Sequence, residues 1–161
     1  MLSTPIYIAG SALDLAMQIV CRGLCASKYG SNMEISGLLL GREIGDGLLI
    51  TSAITGPQAS TELESRLDDN FVASVATEMM TGRMRDRIVG MFHSHPGIGI
   101  FMSSQDAQTL ANFQRLYPSF LMMVIDPLRL EKFRFFRYDY ETMSVRTIVV
   151  QVVEWPDRFR E

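Results

Sequence analysis

The sequence offers little from which to build a metal or redox centre: two cysteines and two histidines in 161 residues. Cys21 and Cys25 stand four apart in a stretch of helical spacing, where a single face does not easily close a disulfide, and no other Cys or His has zinc-finger spacing. The expectation is two reduced, packed thiols in a cytoplasmic protein. Positive charge is also short. Fifteen Lys and Arg against 18 Asp and Glu give a net charge of −3 and a pI of about 5.4, which argues against a nucleic-acid partner. Long apolar runs are missing too: the richest windows are interrupted by Asp14 and Arg22 or are too short to span a bilayer. No basic leader with an apolar core and a cleavage site opens the sequence. A soluble, cytoplasmic chain without a membrane partner is expected.

What remains is a composition of 47% hydrophobic and 20% charged residues, with no repeat, linker or low-complexity tract. That predicts one domain over residues 1–161, long enough to bury a core unaided. Residues 5–8 read as a strand. Leu13, Met17, Val20 and Leu24 mark a helix from Ser11, its N-cap, to about Ser27, broken at Tyr29 to Asn32. Glu34–Leu40 and Leu48–Ile54 read as strands around the hairpin residues Gly45-Asp46-Gly47. Gly56–Glu64 reads as polar and irregular. Asp68 or Asp69 caps a helix from about Asn70 to Thr81, with Phe71, Val72, Val75 and Met79 as its stripe. Arg87–His95 is a strand, Gly97–Met102 a loop and Ser103–Tyr117 a third helix. The unbroken apolar run Phe120–Ile125 is a central strand buried on both faces. Asp126-Pro127 is a turn, and Lys132–Tyr138 and Val145–Val153 are the last strands. The class is α+β with a largely antiparallel sheet.

Both histidines fall in His93-Ser94-His95-Pro96. In an extended chain, side chains two apart share a face, so His93 and His95 point together. Asp106, opening the next helix, brings a carboxylate to them. Two imidazoles and one oxygen suit zinc, and three protein ligands leave a fourth position for water, as catalysis requires. Ser103 and Asp106 also form a capping-box pattern, which is compatible with ligation. A hydrolytic site needs a base in addition, and spacing alone does not single out Glu34 among the acids.

Together, Glu34 followed by Ile35-Ser36-Gly37-Leu38-Leu39-Leu40-Gly41, then His93-Ser94-His95-Pro96, then Ser103-Ser104-Gln105-Asp106, resemble the JAMM/MPN+ metalloprotease signature. The likeness runs from about Ile35 through Pro127, and the loop Gly97–Met102 is most similar to that of the deubiquitinating subunit of the proteasome lid. The resemblance implies a single MPN domain, a curved, mostly antiparallel or mixed sheet flanked by helices, cytidine-deaminase-like. It implies one catalytic Zn2+ on His93, His95 and Asp106, Glu34 as general base and then acid, and Ser103 as donor to the developing oxyanion. The implied reaction is hydrolysis after the C-terminal Gly-Gly of ubiquitin or a ubiquitin-like modifier, with modifier conjugates as partners and the proteasome as a candidate partner. Ser60–Leu67 matches an insertion that orders in relatives as a ribbon against the modifier's tail. Glu62, Glu64, Asp68 and Asp69 make this region acidic, where the tail is basic. No long insertion follows Asp126-Pro127, and the chain ends soon after its last strand, so a compact prokaryotic enzyme of archaeal type is expected. The alternatives are a JAMM peptidase that trims sulfur-carrier proteins and a non-catalytic MPN scaffold.

Overall fold

The chain turns from strand to helix without a spacer at its start. In the computed structural model, which describes residues 4–26, 33–61 and 64–154, β1 (Ile6–Ala9) runs directly into α1 (Gly10–Ala26). Ser11 therefore lies inside the first turn and is not the N-cap. The buried stripe of α1 is Ala12, Ala16 and Val20, with Leu13 and Met17 at its flanks and Leu24 only half-buried. Small residues at 12 and 16 let the helix axis lie close to the sheet, and a pattern read from large residues alone misses them. Cys21 and Cys25 are free and exposed, on the face shared with Asp14 and Gln18. The packed-thiol expectation is corrected accordingly: that face is turned away from the stripe.

Next come β2 (Ser36–Ile44) and β3 (Gly47–Ile54), an antiparallel pair, then β4 (Gln58–Ser60) and β5 (Ser65–Leu67), which pair with each other alone. Strand β2 begins at Ser36, so Glu34 stands in the segment leading into it. The stretch read as irregular is in part a ribbon, in register Gln58 with Leu67 and Ser60 with Ser65. Gln, Ala and Ser have little strand preference, and here tertiary pairing overrides propensity. Then follow α2 (Asp69–Met80), β6 (Arg87–Ser94), α3 (Ser104–Leu116), β7 (Leu121–Ile125), β8 (Phe133–Asp139), β9 (Ser144–Ile148) and β10 (Gln151–Val153). Asp68 is the residue that caps α2, accepting the Phe71 N–H at 3.1 Å. The expected break at Tyr29 to Asn32, the acid Glu62 and the tail from Trp155 lie outside the described residues.

The large sheet has the order β10-β1-β3-β2-β6-β7-β8-β9. Pairs β1 with β10, β1 with β3, and β6 with β7 are parallel, and the remaining pairs are antiparallel, so the sheet is mixed. The expected single strand Val145–Val153 is two strands at opposite edges. Only Val149 and Val150 join them, and two residues reach a few ångströms, so the sheet curls until its edges approach each other. Alternation carries no record of the edge to which a strand belongs. Helix α1 covers one face. On the other, Leu110 of α3 packs with Phe120, Met122, Val124 and Phe136, while Val75 of α2 packs with Leu38, Leu40 and Leu67. Every residue of β7 is buried, as its apolar run predicts. Among the described residues the architecture is α+β, a curled mixed sheet with three helices. Among the described residues no helix is long and apolar enough to cross a membrane.

Strand β2 and strand β6 are locked by a close approach. A Cβ on Gly37 would lie 2.1 Å from the fully buried Phe92 ring and 2.5 Å from the Ile54 carbonyl oxygen. Gly37→Ala is expected to cost about 1–3 kcal/mol in urea unfolding, the range for overpacking. Unchanged stability would mean that the two strands are less tightly seated than this geometry requires.

Candidate metal centre

Parallel pairing of β6 on β7 fixes the histidines. His93 lies opposite Val124, and the His95 N–H, one residue beyond the strand, still donates to the Ile125 carbonyl at 2.8 Å. The extended backbone turns both imidazoles to one side, with Nε2 atoms 3.1 Å apart and both residues buried. Asp106 arrives from the first turn of α3. Ser103 caps that helix: its Oγ accepts the Asp106 N–H at 3.0 Å, and Asp106 Oδ2 accepts the Ser103 N–H at 2.9 Å. The same Oδ2 lies 3.3 Å from His93 Nε2 and 3.8 Å from His95 Nε2. Cap and candidate ligand are thus one side chain.

Three donors converge on one point. Tetrahedral zinc with bonds of about 2.0–2.1 Å holds neighbouring ligand atoms about 3.3–3.5 Å apart, and the separations of 3.1, 3.3 and 3.8 Å bracket that spacing. His93, His95 and Asp106 also form the group of candidate ligands whose atoms lie within 4.8 Å of one another. The donor set and its size fit a zinc ion.

Glu34 stands beside the three, 5% exposed, with Oε1 3.6 Å from His95 Nε2. Burial pushes its carboxyl up to about 7, with the charges of Asp106 and Glu64 adding to the shift and the field of His93 opposing it. Burial alone would also raise Asp106, yet the hydrogen bond and field of His93, joined by the backbone and hydroxyl of Ser103, bring it to about 2. His95 is held below its ordinary value by burial and then by the neighbouring His93, against the pull of Asp106. One carboxylate is kept ionised and the other exchanges a proton near neutrality. Glu34, His93, Ser103 and Asp106 line one pocket, with Ser36, Glu64 and Met91 among its other walls, and His95 adjoins it with Nε2 3.6 Å from Glu34. A groove continues from it between the ribbon with α2 and the α3 face carrying Gln105, Thr109 and Phe113.

Two supporting residues escaped the sequence reading. Ser94, between the histidines, accepts the Ile35 N–H on its hydroxyl at 2.9 Å and donates its own N–H to the Ile35 carbonyl, strapping the Glu34 segment to the histidine strand. Asp126, read as a turn residue, is fully buried. Its carboxylate accepts the N–H groups of Gly97, Gly99 and Leu128 at 2.9, 2.7 and 3.0 Å. Gly97 and Gly99 sit at φ of 80° and 95°, which only glycine adopts at low cost. The loop so held lays Phe101 against His95, with ring centroids 4.5 Å apart. The Gly-x-Gly after the histidines was the available signal.

A profile of the JAB1/Mov34/MPN/PAD-1 ubiquitin protease family matches residues 6–119, which include Glu34, His93, His95, Ser103 and Asp106. The chain is similar to COP9 signalosome complex subunit 5b of Arabidopsis thaliana, 33% identical over 123 residues, covering 74% of this chain and 33% of that protein. It is similar to the 26S proteasome regulatory subunit rpn11 of Schizosaccharomyces pombe, 32% identical over 105 residues, with 63% and 34% covered. A protein of Saccharomyces cerevisiae described as ubiquitin carboxyl-terminal hydrolase RPN11 is 31% identical over 104 residues, with the same coverage. The chain spans about a third of the length of these relatives.

The opposed carboxyl shifts predict a pH signature for the metal-free protein. Glu34 is raised in the fold, so stability is highest below its unfolded value near 4.5 and falls as pH climbs toward 7. Asp106 is lowered, so its contribution is present above about 3.8 and disappears as pH falls toward 2. Metal-free Glu34→Gln should therefore exceed wild type at pH 8 by on the order of 3 kcal/mol and approach it at pH 4. Parallel stability curves for the two proteins between pH 4 and 8 would contradict the burial of an unpaired Glu34.

Proposed function

This chain belongs to the JAB1/Mov34/MPN/PAD-1 family, and from that premise and the geometry of the pocket we propose that it is a zinc-dependent isopeptidase. Its substrate in this reading is the bond after the C-terminal Gly-Gly of ubiquitin or a ubiquitin-like modifier, and residues 1–161 form one catalytic domain. The observation that carries the proposal is a buried carboxyl 3.6 Å from one imidazole of a three-donor centre.

His93, His95 and Asp106 would hold the ion. Zinc, when bound, supplies Lewis acidity that polarises the scissile carbonyl and makes water acidic enough to attack at neutral pH. Glu34 takes a proton from the attacking water and returns it to the leaving amine, a task its place beside the three donors allows. Ser103 Oγ accepts the Asp106 N–H, and its hydroxyl proton, which favours the Asp106 carboxylate in the substrate-free pocket, would turn to the oxyanion. Asp106 stays anionic because its helix terminus and His93 favour the charge. The ribbon is tied to α3 by the Gln105 Nε2 bond to Glu64 Oε1 at 2.8 Å, and the groove beside it suits an extended, small-residue tail. The Glu64 carboxylate beside that groove favours a basic tail, whereas Asp69 is already paired with Arg66 at 3.0 Å.

Zinc content by mass spectrometry and cleavage of ubiquitin-type and sulfur-carrier fusions test the roles together. Glu34→Gln is expected to keep one zinc and lose about 10²–10⁴-fold in kcat. His93→Ala is expected to lose both metal and turnover. Ser103→Ala should lose about 100-fold or more in kcat, together with about 1 kcal/mol from the helix cap. Near wild-type cleavage by Glu34→Gln would remove the base assignment. Bound zinc without cleavage of any conjugate would favour a scaffold.

A further inference from the structure

The position of Glu34 depends on how β2 begins. Strand β3 accompanies β2 as far as the pair Leu38 and Ile54 and then leaves toward the ribbon. Two residues earlier, Ser36 has lost its strand partner on that side, and buried backbone groups must find partners elsewhere. The side-chain amide of Gln58, the first residue of β4, takes the place of the missing strand. Its Oε1 accepts the Ser36 N–H at 2.8 Å, and its Nε2 donates to the Ser36 carbonyl at 3.2 Å. A primary amide can serve both groups because it copies the donor and acceptor of a peptide unit. Gln114 does the same for Tyr138, at 2.7 and 2.8 Å.

The rest of the segment is bonded in alternation. Ile35 turns its N–H and carbonyl to Ser94 on the histidine strand, and Ser36 turns its own to Gln58 on the ribbon. The Glu34 N–H donates to the Thr61 carbonyl of the ribbon at 2.9 Å, and the Ser36 and Ser65 hydroxyls bond each other. Thr55 Oγ1 adds a bond to the Ser36 carbonyl at 2.6 Å and accepts from Gln58 Nε2 at 3.0 Å, bracing the amide. At the ribbon's far turn, Glu64 is bound to Gln105 beside Asp106. The ribbon is therefore fastened at its root to the base segment and at its tip to the helix of the third ligand.

We propose that Gln58 is a positioning residue, which fixes Glu34 through Ser36 and makes the placement of the base follow the placement of the ribbon. The proposal rests on the hydrolase reading of the same pocket. A substrate tail seated along the ribbon would then act on the base as well as on its own affinity. The Gln58 amide makes its hydrogen bonds to Ser36, Thr55, Gly56 and Ser60, none of them a candidate ligand, so its loss should spare the metal.

The test uses zinc-loaded protein carrying Gln58→Ala, with Gln58→Met as the second variant. Met keeps the length and packing of Gln and removes both bonds, so it serves where Ala fails to fold. Amide exchange at Ser36 is followed by NMR, with kcat and KM measured on a linear ubiquitin–peptide fusion. Expected are one zinc per chain, Ser36 exchange about tenfold faster or more, and kcat lower by about 10-fold or more with KM within about twofold. Unchanged exchange at Ser36, or a loss carried by KM alone, overturns the proposal. A wild-type chain that cleaves no conjugate removes the hydrolase reading instead, and Ser36 exchange alone then decides whether Gln58 holds the base segment.

Discussion

Two imidazole nitrogens 3.1 Å apart and a carboxylate oxygen 3.3 Å from one of them make up the contact on which the pocket depends. Lone pairs aimed at one point repel unless a proton or a cation lies between them, so the surrounding fold must hold them there. Parallel pairing of β6 with β7 holds the histidines, and the capping box of α3 holds Asp106. Neither device is specific to metal binding: one satisfies strand backbone and the other a helix end. The fold brings the donors together by meeting its own hydrogen-bonding requirements, and a bound ion would add its binding free energy to the stability of that arrangement.

Around this centre the two nearby carboxyls are driven apart by their surroundings. Against its burial, Asp106 has His93 and then the Ser103 N–H and hydroxyl to stabilise its charge, and falls to about 2. Glu34 is buried with acidic neighbours and rises to about 7. Groups whose environments separate their proton affinities in this way are suited to different tasks, and in the proposed reading Asp106 would be a ligand and Glu34 the base. The chemistry is therefore set by local hydrogen bonding and burial as much as by residue type.

The cluster of three candidate donors was legible in the sequence because it is local: two histidines on one face of a strand, and an acid in the first turn of the next helix. Family resemblance selected Glu34, which spacing had left among several acids. The parts that hold the site were not legible, because their partners are distant in sequence. Ser94 bonds Ile35 across 59 positions, Asp126 bonds Gly97 across 29, and Gln58 bonds Ser36 across 22. Apolar periodicity located α1 but shifted its stripe, since Ala12 and Ala16 pack closely while contributing little hydrophobicity. It also fused β9 with β10, because a strand changing sheet edges keeps its alternation. Asp126-Pro127 read as a turn because Asp and Pro do favour turns; the turn is real, and its carboxylate serves the loop over His95.

Metal removal and return tests the central claim most directly. Protein stripped by chelator is assayed on a ubiquitin fusion, then titrated with zinc. The account predicts no cleavage in the stripped protein and recovery that saturates at one zinc per chain. Cleavage that survives complete removal of metal, or a loaded chain in which zinc binds equally well to His93→Ala, would contradict it.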